Sequence, residues 1–454
     1  MPQPKLLHRQ RGVALLYVIA LVGIIGIMVG ISWRMIKNGN TLATLNQADA
    51  QTRLLALAGM DYALAKIGPP GPFQDLNYST EHLEYQFEGP DHKFDLSVRS
   101  YGLFARSVST GKTSLPRPGR SSPYSGLLGQ WLDLSQLPAL GLLNHEGNMV
   151  LAGTAQVTGA VMLWRGDVRK ATDYNVRWTG YGGHAGPVFD STANAWKMCK
   201  MNFSRADSWI KRQVEMLASK DFSKDTDFDS ASIQDLLLPD SGLVQGNLKN
   251  TRIISSQFIR VGSSADLFHC KLISTRIVIE GDALIEKSLV FASQTIDIKG
   301  AKIIGGQFLA GDSVRINSKQ TLKSFPIFYA QGHIQNRGKP DSTMVGALMV
   351  EMANGEGIFI SACQEHPLYD QDVRLSISNE SILTGLVYTP CHAKMEGSLQ
   401  GSLICFNLKF EYKGTIWLGH LKDAHIKGIA GRKVIPAPLL FPGFSPAAFT
   451  NGTL

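Results

Sequence analysis

Residues 252–323 can be written as four successive rows whose apolar side chains stay in columns. Ile259 and Val261 recur as Ile277 and Ile279, Ile296 and Ile298, and Val314 and Ile316, at spacings of 18, 19 and 18. A second column reads Ile254, Leu272, Val290 and Phe308, and small residues recur at Ser256, Ser274, Ala292 and Ala310. Turn residues follow the first column at Gly262, Gly281, Gly300 and Ser318. Residues two apart on a strand point to the same side, so each pair marks two side chains turned to one interior. Four rows in register are what a β-helix requires: backbone bonds run to the next row, and no row is stable alone. An ordinary meander gives no reason for such columns. The same beat returns at 151–168, 342–362 and 381–419, where Leu386 and Leu403 again lie one row apart.

The spacing therefore predicts a β-helix over 148–435, interrupted by a helical insertion at 187–240. There SRADSWIKRQVEMLAS puts Trp209, Val214 and Leu217 on one face, with Ser204 or Asp207 as the cap. Residues 68–147, with GPPGPF and SLPRPGRSSPYSG, read as linker and short strands, and 436–454 as a carboxy-terminal tail.

Val13 to Trp33 is a run without a charge. As a helix it matches the roughly 30 Å hydrocarbon core of a bilayer. A cleavable secretory signal has a shorter apolar core and a small-x-small site, and no such site follows here. Lys5, Arg9 and Arg11 precede the run, and Arg34 and Lys37 follow it, which leans toward a cytoplasmic amino terminus. Helical periodicity continues through Leu42, Leu45, Leu54, Leu57, Ala58, Leu64 and Ile67, and stops at Pro69. The expectation is one transmembrane helix over 13–36 that continues as a protruding helix over 37–67.

The stretch RQRGVALLYVIALV resembles the amino terminus of type IV pilin-like proteins, and RGVALL is most similar to PilX-type minor pilins and the large pseudopilin of type II secretion. ADAQTRLLALAGMDYALA is similar to the Ala-rich helix that follows the membrane in those proteins. The resemblance implies a leader, residues 1–12, cut by a prepilin peptidase between Gly12 and Val13. It also implies packing among neighbouring subunits through Tyr17, Leu42, Leu45, Leu54 and Leu57. Most pilins carry glutamate at the fifth position after the cut, where this chain has Tyr17. A buried carboxylate needs a partner charge; Tyr17 supplies none, which points to a minor or tip subunit rather than the shaft.

Chemistry is sparse. The net charge of +8 is owed largely to the five residues flanking the apolar run, and no basic cluster is interleaved with aromatics, so nucleic acid is not an expected partner. STGKTS (109–114) lacks the first glycine of a phosphate loop and reads as a polar turn. Asp225, Asp227 and Asp229 begin like a calcium loop, but Ser230 and Leu236 stand where Gly and Glu belong. Asp266, Asp282, Asp297 and Asp312 fall in successive rows without sharing a column, and Asp297 reads as outward surface charge between Val278 and Arg315. His269–Cys270 and Cys391–His392 are strand neighbours that point apart, so neither chelates one ion. The five cysteines are odd in number, leaving at least one thiol free in a monomer. No catalytic residue, cofactor or metal is expected.

These readings converge on a mainly β chain: a long transmembrane helix, then a β-helix head with a helical insertion. The expected function is that of a membrane-anchored, non-catalytic pilin-like subunit of a type IV pilus or type II-like secretion assembly, with its head outside the cytoplasm. Its partners would be other pilin-like subunits, inner-membrane assembly proteins, the prepilin peptidase and the lipid bilayer. Two alternatives remain: a membrane-anchored scaffold resembling bactofilins, and a β-helical carbohydrate-active enzyme.

Overall fold

The computed structural model describes residues 7–67, 85–86, 92–113, 123–146, 148–173, 176–190, 201–222, 234–332, 348–362, 373–438, 440 and 446–449. Among the described residues strand outweighs helix, 55% against 21%, which makes the fold mainly β. The chain divides into two compact units, the first being Met1–Asp61, Glu84–Ser97 and Val108–Tyr124, and the second the remainder.

The first unit is built on helix α1 (Leu7–Ile67), whose last turn passes into the second unit. Strands β1 (Tyr85–Gln86) and β2 (His92–Tyr101) pair antiparallel, and β3 (Phe104–Thr113) follows β2 in the same sheet. Ala48, Thr52, Ala56, Gly59 and Met60 form the buried stripe of α1. A side chain at Gly59 would run into Ser109 and Phe94, and one at Gly111 into the Thr52 carbonyl. Two missing side chains thus let helix and sheet backbones approach closely. This corrects the polar-turn reading of STGKTS: Ser109–Thr113 lie in β3, and Lys112 pairs with Asp95.

The second unit contains a closed, barrel-like sheet of 24 described strands, almost all parallel. Ile259 pairs with Ile277, Ile277 with Ile296 and Ile296 with Val314, and the column continues to Leu348 and Leu375. All six are fully buried in one apolar core. A parallel column runs Leu272, Val290, Phe308, Phe328, Phe359, and its three rings stack at 5.1 and 5.2 Å.

The first row departs from the expected columns. Leu272 pairs with Ile253, not Ile254, and Ser255 rather than Ser256 takes the buried small corner, its N–H donating to Ile273 O. Leu403 likewise pairs with Val387, leaving Leu386 opposite Ser402. The rows differ in length, and a slip of one residue exchanges the two faces of a strand. Ile254 accordingly joins the opposite face with Ile273, Phe291, Leu309 and Tyr329.

Row order does not follow chain order. Leu140–Glu146 adds to the far edge of Ser398–Tyr412, with Leu403 opposite Leu140 and Cys405 opposite Leu142. Val161–Trp164 stacks next, then Val188–Asp190. The segment that comes first along the chain therefore lies last in the sheet.

Helix α2 (Ser204–Ser219) lies on the face made by Ile273, Phe291 and Tyr329, and Trp209 meets Phe291 edge-on at 5.3 Å. Two expectations about it need correction. Its N-cap is Phe203, which makes no side-chain cap; Asn202 Oδ1 instead accepts from Ser204 N at 3.0 Å. Val214 is exposed, and the buried face is Ala206, Trp209, Ile210, Gln213, Met216 and Leu217.

Antiparallel pairing also ties β4 (Pro123–Asp133) to Val434–Ala437 and Pro446–Phe449. Phe449 packs edge-on against Trp131 at 4.7 Å. The turn between β2 and β3 is clamped by Gln307, whose Oε1 accepts from Leu103 N at 2.8 Å and whose Nε2 donates to Tyr101 O at 3.2 Å.

Candidate functional site

Among the described residues, α1 is the one helix long and apolar enough to cross a membrane, by length and composition. A signal sequence near the amino terminus meets the same criteria. Gly12 and Val13 both lie within α1, in its first turns. From Leu15 to Ile36 the large apolar side chains are exposed.

Four of the five residues expected to pack between subunits stay exposed in the chain's own fold. Tyr17 is 74% exposed, Leu42 60%, Leu54 64% and Leu57 40%; Leu45 is half-buried. Reading the leucines missed the stripe that the fold does bury. Its signal was in the sequence: small residues at 48, 52 and 56 repeat every fourth position on one helix face.

The second unit has a groove of about 890 Å³ between α2 and the side of the parallel sheet. Its floor is Ser256, Thr275, Gln294, Asp312 and Gln331 from successive rows, and Asp207, Lys211, Val214 and Glu215 form the helical wall. Asp207 Oδ1 accepts from Gln331 Nε2 at 2.9 Å and from Tyr329 OH at 3.3 Å. Burial raises the Asp207 carboxyl above the usual carboxylate range, and those two donors only partly offset it. Tyr329, fully buried beside that carboxyl, is pushed well above the ordinary phenol value by burial. These bonds fasten α2 to the sheet and account for Asp207 without invoking a substrate.

Asp266 and Asp297 pair with no other aspartate, in keeping with the absence of a shared column. Val278, Asp297 and Arg315 are neighbours across rows as expected, but Asp297 is not surface charge: it is 8% exposed and Oδ2 accepts from Arg276 Nη2 at 3.0 Å. Proximity to an arginine lets a carboxylate sit low on a sheet surface. Asp423 Oδ1 accepts from Thr154 N at 2.9 Å; burial pushes its carboxyl up, and bonds from Thr154 and Lys422 outweigh that and hold it low.

Asp225, Asp227 and Asp229 lie outside the described residues, as do Cys199 and Cys363. Cys391 is disulfide-bonded, whereas Cys270 and Cys405 are buried free thiols, both pushed up by burial. Among the described residues no group of three or more His, Cys, Asp or Glu is placed to hold a metal ion. No family model, no curated protein and no solved structure matches the chain.

Proposed function

We propose that the chain is a membrane-anchored, non-catalytic pilin-like minor subunit whose parallel sheet is a β-helix held outside the cytoplasm. The observation that carries this is α1, a single unbroken helix of 61 residues. At 1.5 Å per residue it is roughly 90 Å long. Its first half is bare and apolar; its second half is fastened by small residues to a sheet of its own unit. A helix that runs on without a break joins the apolar anchor and the sheet-packed half in one rod, which a flexible linker cannot do. Exposed Tyr17, Leu42, Leu54 and Leu57 leave an apolar lateral surface for neighbouring helices. The disulfide at Cys391 suits a head in an oxidising compartment. A tip rather than a shaft position follows from Tyr17 and from the size of the head.

The test is amino-terminal sequencing of protein extracted from membranes that contain a prepilin peptidase. The reading expects a start at Val13, and a start at Met1 when Gly12 is replaced by a large residue (Gly12→Leu). A wild-type start at Met1 removes the pilin-like assignment and leaves a plain anchor. A second reading, the bactofilin-like scaffold, draws support from the first row of the sheet at 234–249, whose outer edges meet no described strand; Trp178 and Lys170 over the opposite end count against polymerisation through both ends.

A further inference from the structure

The two ends of the parallel sheet are finished differently. At one end Trp178 packs on the core, its Nε1 donating to Ala155 O at 3.0 Å, and Lys170 Nζ sits 3.8 Å from the centre of its ring. Lys170 is paired with Leu151 and His184 with Val157. A lysine and a histidine thus occupy positions that are fully buried aliphatics one row earlier. Charge placed at inward positions of a terminal strand blocks addition of another strand.

The other end has no such device. Among the described residues, Gln234–Leu237, Ser241–Val244 and Asn247–Lys249 pair only with Thr251–Ile254, Phe258–Val261 and Asp266–Phe268. Among the described residues no strand meets their outer edges. The core columns end here in Leu236, Val244 and Leu248. Leu237 is 67% exposed, Leu243 53% and Leu236 37%, although Leu236 stands in the column of fully buried Ile253 and Leu272.

We propose that this open end is an interface between two copies of the chain, related by a two-fold axis. A row of unpaired strand edges is completed by other strand edges, not by side chains alone. The opposite end has edges of its own, since Val168–Lys170, His184–Ala185 and Val188–Asp190 each pair on one side among the described residues, but Trp178 and the inward Lys170 lie over its core columns and disfavour head-to-tail stacking. The open end of a second copy can supply strand edges. A two-fold turns its strands antiparallel, a pairing at least as favourable as the parallel one it extends, and the same patch serves on both molecules. Charge does not oppose the contact: the row carries Asp235, Asp240 and Lys249, and Asp235 is already paired with Arg252. A two-fold contact uses this end of both copies, so assembly through it stops at two. The inference is independent of leader cleavage.

The test measures copies per particle for the full chain in detergent by mass photometry. Wild type is expected as a two-copy species, lost in Leu237→Lys with Leu243→Lys and retained in Phe189→Lys at the covered end. Both leucines are exposed, so the double variant is expected to keep the wild-type circular dichroism. As an independent measure, amide exchange at 234–249 in wild type should slow as protein concentration rises. One-copy particles with concentration-independent exchange overturn the proposal. So does a two-copy species that survives the double substitution, since contact through α1 would then explain it. Particles larger than two that disappear in Phe189→Lys overturn it in favour of head-to-tail stacking.

Discussion

Asp207 shows how a single residue can stand in a groove and still be structural. Its carboxyl takes two hydrogen bonds from Gln331 and Tyr329, and burial raises its pKa. A raised folded pKa means the folded state holds the proton more tightly than the unfolded one. Stability therefore falls as pH rises from the ordinary carboxylate range through the raised value, and stays lower above it. Asp207→Asn keeps an acceptor for both donors and does not titrate. It is expected within about 1 kcal/mol of wild type at neutral pH, with that pH dependence removed. Asp207→Ala strands two buried donors and is expected to cost ~1–3 kcal/mol. Urea denaturation of the three proteins between pH 4 and 8 checks both outcomes; an asparagine variant as unstable as the alanine one would show that the charge itself is needed. Asp297 makes the complementary point about legibility. Its neighbours Val278 and Arg315 were readable from row spacing, but its burial depends on Arg276, two positions before Val278 on the adjacent strand. Pair partners of that kind are set by register, which a single row of sequence does not contain.

At the scale of elements, the long helix and α2 were legible because each has one period over many residues. What periodicity could not say was which face is covered by the chain itself. The leucines of α1 are the larger apolar groups, yet the fold buries Ala48, Thr52, Ala56 and Gly59, because close approach to a sheet needs small residues on both partners. Gly111 supplies the sheet side of that contact. Gly111→Val is therefore expected to separate helix from sheet locally, at a cost of ~1–3 kcal/mol by overpacking. The readout is amide exchange: protection should fall at 48–60 and 108–113 and remain unchanged at 272–316. Unchanged protection at 48–60 would mean that the helix is held there by other contacts. A valine at Gly39, where nothing lies near the added carbon, is the matched control and should leave both segments alone.

For the whole molecule, the columns were readable but the order of the rows was not. Parallel pairing joins each strand to one in the next row, so a stretch of sequence names its partners only when they follow at the repeat distance. The junction of Leu140–Glu146 with Ser398–Tyr412 breaks that rule, since it joins residues more than half the chain apart. Closing so long a loop costs entropy that only completed neighbouring rows offset. The rows at 140–190 therefore depend on the rows at 398–427, while the reverse dependence is weaker, because the strand at 398–412 is already paired on its other side with Ile382–Met395. Leu140 is fully buried at the junction, opposite Leu403 on one side and Val161 on the other. Leu140→Asp places an unpaired charge there and is expected to cost at least ~3 kcal/mol locally. Amide exchange should then quicken across 140–164 and 184–190 and stay near wild type at 272–316, where every strand keeps both neighbours. The conservative Leu140→Met, which keeps the apolar volume, should preserve protection in both regions. Uniform loss of protection over the whole sheet in Leu140→Asp would instead mean that the rows fold as one cooperative unit, in which the seam between first and last segments is as strong as any other.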